Sequence, residues 1–522
     1  MPRFIEESSR SQSTLFPELL DDYISQDNQV RVIEAFVDGL DLGSMSFKRA
    51  EPSDTGRPGY RPGTLLKLYI YGYLNRIQSS RRLERETHRN VELMWLLGRL
   101  QPDFKTIADF RKDNGDAIQQ SCRELVEMCR KLELFSDAMI AIDGSKFKAV
   151  NNRKKNDSQG SMKRRIARVE KHIADYMALL DAKDNNEPVT DERDASELQE
   201  KLDSLKEHLE NLKQREAEVK AQPDKQISET DPDSRLMKQS TVGSLVGYNV
   251  QNAVDTKYKL IVAHEVTNAP TDRGQLLPMA RLVQSALQVQ ELCVIADRGY
   301  YKGTDIKSCA EEGITTLVPK SLTSGNGANG FYPRSAFKYN AEKNEYSCPA
   351  DQVLAYRHSS VDKKNDMTID TYYASSLTCR DCELKAQCTV GVNRRVRRWE
   401  HEDVLDHAEQ QLQSNPDAMT LRASTVEHPF GTIKLWTGSR HFLMKTLHNV
   451  RTEMSLNVLA YNLRRLISIF GVNGLIKAIG YVAIYIFWAS LRRLGRLKSR
   501  ILCLWSMRMT ESASDTRAQV AI

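Results

Sequence analysis

Two aspartates interrupt apolar runs, where a charged side chain is expensive. Asp143 lies within AMIAIDGSKFKAV (138–150), and Asp297 stands near the end of LCVIADRGY (292–300). A buried carboxylate is costly unless it is paired or bound to a metal. An aspartate at a strand end also caps turns, so the pair says more than either residue alone: adjacent central strands would bring the two together. A third carboxylate would complete a site for a hard cation, and Glu427 in STVEHPFGTIK is the candidate. Ser424 or Thr425 can cap a helix that presents Glu427 towards a sheet. Lys434 follows seven residues later, two turns on, and so falls on the same face. A metal-binding acid and a phosphate-binding base would then line one groove, although a glutamate on a helix is ordinarily solvated.

The elements that must hold these residues are legible in the pattern. Residues 138–150 read as a strand. LVGYNVQNAV and KLIVAHEVT read as a hairpin joined at Asp255, Thr256 and Lys257. RGQLLPMARLVQSALQ is a helix, LCVIADRGY a buried strand, TDIKSCAEE a short helix and ITTLVPK a further strand. Three strands that can pair antiparallel, then helix, strand, helix and strand, is the order of a ribonuclease-H-like mixed sheet in an α/β fold. Between the first strand and the hairpin, apolar residues recur at Ile166, Val169, Ile173, Met177 and Leu180. Leucines then recur at 198, 202, 205, 209 and 212. That spacing predicts an antiparallel helical hairpin, with a dimerising coiled coil as the alternative.

The chain has 522 residues and 40% hydrophobic content, which excludes a wholly disordered protein. Charged residues at 28% and a mean hydropathy of −0.52 exclude a polytopic membrane protein. Residues 1–20 lack a signal-peptide core, so a cytoplasmic location is expected. The net charge is only +6, but it is unevenly spread. Residues 57–90 hold eight Lys/Arg against two Asp/Glu, residues 394–398 read RRVRR, and residues 464–508 hold nine Lys/Arg and no acid. Such clusters favour polyanions. The first falls in a helical region with candidate caps at Ser80, Asn90 and Thr106; there Arg81, Arg82, Arg85 and Arg89 would face DNA. The apolar segment 474–491 contains Lys477 and reads as a packed helix or tail rather than a membrane span, and the last dozen residues read as disordered.

Nine cysteines do not make a disulfide scaffold. Four of them, Cys348, Cys379, Cys382 and Cys388, fall in a loop-rich stretch with the spacing C-x30-C-x2-C-x5-C. The Cys379/Cys382 pair has the form of a metal knuckle, so structural zinc is expected, with reduced packed thiols or a redox role as alternatives. Arg394, Arg395, Arg397 and Arg398 beside them would track DNA phosphates. Trp399 would stack on a base or, more ordinarily, pack.

The segments AIDGSKFKAVNN, ADRGYYKG and TVEHPFGTIK, in that order, resemble the DDE transposases of bacterial insertion sequences in the broad IS-four-like group, closest to the family called eleven-eighty-two. The likeness covers most of residues 1–470. Asp297, Gly299 and Tyr300 match the Asp-x-Gly-Tyr signature, and Glu427 and Lys434 match the Glu-x6-Lys half of the family's Tyr-Arg-Glu-Lys signature. The other half departs: Thr420 and Ala423 occupy the Tyr and Arg positions, and Arg422 stands one residue from its expected place. The resemblance implies that Asp143, Asp297 and Glu427 hold two Mg²⁺ (or Mn²⁺) ions, about 4 Å apart. It implies that Lys434, Arg422, Tyr300 and Lys146 contact DNA. It also implies a homodimer that binds terminal inverted repeats and target DNA, with no membrane partner.

The expected organisation is therefore a helical DNA-binding region (1–130), a ribonuclease-H-like core (137–160 and 235–320) and a helical-hairpin insertion (161–225). A loop-rich insertion bearing the four cysteines (321–400), core helices carrying Glu427 (401–470) and an apolar, basic tail (471–522) complete it. Two other readings stand beside the transposase: a metal-dependent nuclease without strand transfer, and an inactive DNA-binding protein of transposon origin.

Overall fold

The computed structural model describes residues 19–51, 58–135, 139–184, 195–239, 243–321, 326–327, 329–363 and 367–518, with side chains described up to residue 482. The readings of the N-terminal segment, the hairpin tip and the side chains of the basic tail lie outside these residues. The chain opens with helices α1 (Gln29–Asp38), α2 (Pro62–Leu74), α3 (Ser80–Thr87), α4 (Val91–Leu96), α5 (Phe104–Asp113) and α6 (Gly115–Lys131). Asn28 caps α1 and Asn90 caps α4, each accepting a backbone N–H two or three residues on. Ser80 and Thr106 are not caps. Ser79 stands at the cap position of α3, and the Asp103 carboxylate caps α5 by accepting from the N–H groups of Lys105 and Thr106.

The larger sheet follows. Its axis is β1 (Ile140–Lys148), after which a small ribbon of β2 (Asn156–Ser158) and β3 (Gln226–Ser228) closes the base of two long helices, α7 (Gln159–Asp184) and α8 (Ala195–Ala221). Because both helices spring from one antiparallel ribbon they run antiparallel, and Met162, Val169, Leu212 and Val219 form their seam. The sheet resumes with β4 (Arg235–Gln239), β5 (Gly243–Asp255) and β6 (Ile261–Thr267). Helix α9 (Leu276–Leu287), β7 (Leu292–Ala296), α10 (Gly303–Glu311) and β8 (Ile314–Leu317) complete it. The order is β4-β5-β1-β7-β8, with β6 also on β5. Strand β5 is antiparallel to β1, β4 and β6, whereas β1–β7 and β7–β8 are parallel. Right-handed helical crossovers are the usual solution for such parallel neighbours. The edge of β6 is closed by a side chain: Asn462 accepts from the Ile261 N–H at 2.9 Å and donates to its carbonyl at 2.8 Å.

Residues 321–400 are not loop-rich. They form a five-stranded antiparallel sheet of β9 (Lys338–Asn340), β10 (Glu345–Ser347), β11 (Val353–Asp362), β12 (Met367–Tyr373) and β13 (Val396–Trp399). Two short helices, α11 (Ser376–Arg380) and α12 (Lys385–Cys388), lie between its last strands. The strand signal is weak in the sequence because most of β11 is exposed on both faces, so apolar and polar residues do not alternate there. Helices α13 (Glu402–Gln413) and α14 (Ala418–Gly431) follow. A π turn at Thr432–Trp436 then leads to α15 (Leu447–Ala518), which is broken at Gly471, where φ is +67°.

Two apolar layers hold the sheet. One joins Ile140, Ile142 and Ala253 to α9, α10 and the N-terminal helices, so those helices share a continuous core with the sheet. The other joins Ala141, Phe147 and Val250 to Val426 and Phe430 of α14 and to Val450, Met454 and Val458 of α15. Past Gly471, α15 buries Val472, Leu475, Ile479 and Val482, and Ile479 approaches Gly39 at the end of α1. Residues Leu447–Val482 are long and apolar enough to cross a membrane by length and composition, and 28% of that apolar window is buried within the protein.

Candidate active site

Parallel pairing of β1 with β7 ends at Ile142 opposite Ala296, so Asp143 and Asp297 are the next residues on neighbouring strands. Asp143 points to the α14 face of the sheet, as its parity with Ala141 and Phe147 requires. The Asp297 carboxylate turns back to accept the Gly299 N–H at 2.8 Å, starting the short 3₁₀ turn Arg298–Tyr300. Between the two acids lies Arg422 from α14, 3.1 Å from Asp143 Oδ1 and 3.8 Å from Asp297 Oδ2. One guanidinium thus serves two carboxylates. Burial pushes the Asp143 carboxyl up to about 6; the Asp297 charge adds to this and Arg422 opposes it.

That shift has a sign that can be measured. Between the ordinary aspartate pKa and about 6, the folded protein binds the Asp143 proton more strongly than the unfolded chain does. Its contribution to stability is therefore present at low pH and lost as pH rises through the folded pKa. In chelator, urea unfolding is expected to show this contribution falling by about 2 kcal/mol between pH 4 and 6.5, and Asp143→Asn is expected to flatten that part of the profile. A wild-type profile parallel to that of the variant would exclude a raised Asp143.

Glu427 does not join the pair. It is exposed on α14, and among the described residues no three His, Cys, Asp or Glu side chains are arranged to hold an ion. Val426 and Phe430 of α14 face the sheet, which turns Glu427 outward, and two expectations of the sequence fail with it. The helix begins at Ala418, so Ser424 and Thr425 are not caps but mid-helix residues whose hydroxyls donate back to the Leu421 carbonyl. The π turn after Gly431 then changes the angular step, so Glu427 and Lys434 do not share the face that regular helix spacing predicts.

Other predicted contacts are also engaged internally. The Lys434 ammonium donates to Ser145 Oγ at 2.6 Å and to the Lys146 carbonyl at 3.0 Å, and it sits 4.5 Å from the Phe147 ring centroid. Burial pushes its pKa down to about 8, with the Asp143 charge working against that. Lys146 lies on the opposite face of β1, ion-paired to Asp272 at 3.1 Å. Tyr300 is fully buried and its hydroxyl donates to Gln251 Oε1, so it cannot meet DNA.

The residues missed from the sequence are the polar layer behind the site. The Asp272 carboxylate accepts from Lys146, from Asn249 at 2.7 Å and from Gln251 at 2.8 Å. It can approach only because residue 144 is glycine: a β-carbon there would lie 2.3 Å from Asp272 Oδ1. On the other face, Asn252 stands directly opposite Asp143, fully buried, and neither its oxygen nor its nitrogen has a partner among the described residues. The signal was present in GYNVQNAV, where amides at 249, 251 and 252 interrupt an apolar strand.

Of the basic residues, Arg81, Arg82, Arg85 and Arg89 are exposed on or just after α3, with Arg81 over the Phe104 ring and Arg89 paired to Glu86. Arg395 and Arg397 are exposed. Arg398 is buried, 3.9 Å from the Tyr339 ring centroid and 2.9 Å from Asp406, so it holds the second sheet rather than a phosphate. Arg394 donates to the Cys388 and Tyr332 carbonyls. Trp399 is buried in the main core and cannot stack on a base. Cys348, Cys379, Cys382 and Cys388 are half-buried free thiols lining one cavity of about 30 Å³.

Comparison with known proteins supports a DDE transposase. A transposase domain (DUF772) matches residues 18–113, which include α3, and a transposase DDE domain matches residues 347–467, which include the cysteines, Arg422, Glu427 and Lys434. Among curated proteins none matches. Among solved structures the chain is similar to a piggyBac transposase in a synaptic complex with hairpin DNA. The identity is 9% over 90% of this chain and 81% of that one, with a TM-score of 0.29.

Proposed function

We propose that this chain is an insertion-sequence transposase of the eleven-eighty-two family that binds terminal inverted repeats, cuts the DNA strand at the element's end and joins it to a target. Its sheet is read as ribonuclease-H-like. The observation that carries the proposal is the pair Asp143 and Asp297, each just past the last parallel-paired residue of two adjacent strands, sharing a single guanidinium, on a chain that matches two transposase domains.

Asp143 and Asp297 supply oxygen donors of the kind a divalent cation takes, but with Arg422 between them and Glu427 exposed the site is incomplete as it stands. Two carboxylates face one cationic group, and an orphaned buried amide, Asn252, stands beside Asp143. Oxygen donors of this kind suit Mg²⁺ or Mn²⁺. When bound, such ions activate the attacking oxygen and stabilise the leaving one. The protein's own groups do the rest. Arg422 offsets part of the negative charge of the two acids. The Asp272 network fixes Lys146, Asn249 and Gln251 behind β1, and Lys434 holds positive charge beside Ser145. Glu427 is retained as the third acid. Pro429 and the π turn are the points where α14 can yield to bring it inward.

The transposase reading is distinguished from a nuclease by products. With Mg²⁺ and duplexes carrying the element's own ends, nicking at the terminus is expected, and pre-cut ends with a free 3′-hydroxyl are expected to join to plasmid DNA. Nicking without joining would leave a nuclease; binding without nicking would leave an inactive DNA-binding protein. On this reading the protein works in the bacterial cytoplasm, on nucleoid DNA, and as a homodimer when it holds two ends. The four cysteines line one cavity without standing in a ligand arrangement; a structural Zn²⁺ drawing their thiolates together is part of the proposal. About one zinc per chain is expected by elemental analysis of protein purified without added metal, and a zinc-free, fully folded protein would refute the assignment.

A further inference from the structure

Trp436, the last residue of the π turn, leaves 56% of its surface exposed. Two guanidiniums lie over its ring: Arg76, from the α2–α3 loop, at 5.5 Å from the centroid, and Arg464, from α15, at 4.8 Å. Both arginines are exposed, and among the described residues neither has an ion pair. Arg76 adopts a left-handed backbone conformation, φ +62°, which a residue other than glycine seldom takes. Attraction to an indole face is modest at an exposed site, and two like charges gathered on one ring repel each other. Neither charge on this platform has an ion-pair partner within 4.0 Å among the described residues.

Its position gives it a use. Two residues after Arg76, Gln78 donates to the Thr437 carbonyl at 2.9 Å and also contacts Ser439, which pins the loop before α3 to the segment after the π turn. Helix α3 starts at Ser80 and exposes Arg81, Arg82 and Arg85. Two residues before Trp436, Lys434 reaches Ser145, beside Asp143. The platform is therefore joined within a few residues to the basic helix on one side and, through Lys434, to Ser145 near the aspartate pair on the other. We infer that Arg76, Trp436 and Arg464 form a phosphodiester-binding platform that guides the backbone of a DNA end from α3 to the aspartates. The indole acts as the spacer that holds both guanidiniums ready. Planar guanidiniums suit phosphate oxygens, and phosphate contacts set position without reading sequence. This inference rests on the transposase reading.

The test uses the full chain in chelator with two labelled duplexes of equal length, one carrying the terminal inverted repeat that flanks its own element and one of scrambled sequence. Affinity is read by fluorescence anisotropy over a series of salt concentrations. Arg76→Ala with Arg464→Ala is expected to weaken binding of both duplexes about tenfold. It is also expected to lower the slope of log K against log salt by about 0.9 for each phosphate that the protein no longer neutralises. Trp436→Leu is expected to weaken binding severalfold with a near-normal thermal midpoint. The Arg76→Lys, Arg464→Lys protein is expected to keep most of the salt slope. An unchanged slope with a lowered thermal midpoint would make the cluster a clamp between helices and overturn the inference alone. Wild-type protein that binds neither duplex would overturn the transposase reading with it.

Discussion

Asp143→Asn is expected to abolish strand cleavage while sparing binding of the element's ends. The substitution keeps the shape of the side chain and removes its negative charge, so the sheet and the β1–β7 pairing are preserved. What is lost is half of the negative charge that faces Arg422. If these acids position a divalent cation at the scissile phosphate, cleavage should fall by about 10²- to 10³-fold or more, the scale seen when one preorganised electrostatic partner is removed from a reacting centre. Gel-based cleavage in Mg²⁺, alongside anisotropy on the same duplex, measures both halves of the prediction. Cleavage within tenfold of wild type would mean that the chemistry lies elsewhere. Loss of end binding in the same proportion would mean that Asp143 supports the fold rather than the reaction.

The second large effect is on folding. Gly247 sits in β5 opposite Lys148 of β1 on one side and Arg235 of β4 on the other, and it is buried. A methyl group there would lie 2.0 Å from the Phe147 carbonyl oxygen and 2.9 Å from its carbonyl carbon. Both are backbone atoms of the central strand, so no rotamer change relieves the overlap and the β1–β5 ladder must part locally. Gly247→Ala is expected to cost at least about 3 kcal/mol of stability, enough to leave much of the protein insoluble at 37 °C. Urea unfolding of any soluble fraction and the soluble yield measure it. A variant that expresses and unfolds like wild type would show that the strands stand farther apart than described. Because Gly247 is remote in sequence from the acids, a stable but inactive variant would also be informative: it would place a catalytic demand on the register itself.

The sequence carried local information well. Apolar runs of strand length, the helical spacing of residues 276–287 and 303–311, and the leucine ladder of residues 198–212 are each set by contacts between near neighbours in the chain. The elements observed there follow the pattern. Asp143 and Asp297 were also legible, because a charge in an apolar strand is a local anomaly. What sequence could not supply was the angular setting of α14. Regular helix spacing put Glu427 and Lys434 on one face, whereas Val426 and Phe430 face the sheet and turn Glu427 outward, and the π turn begins between Glu427 and Lys434. Likewise, nothing in the sequence alone distinguishes a lysine that greets a phosphate from one that is spent on Asp272, as Lys146 is, or an arginine that tracks DNA from Arg398, which is bound to Asp406. The exposed strands of the cysteine-bearing sheet escaped for a related reason: their residues alternate against no buried layer.

The chain by itself thus determined which segments become strands and helices and which charges are costly, since both depend on residues within a few positions of one another. The tertiary structure alone decided which charges meet. Asp143, Asp297 and Arg422 come from three separate elements, as do Arg76, Trp436 and Arg464, and pairing between side chains so distant in sequence is fixed only when the sheet and the helices over it pack together.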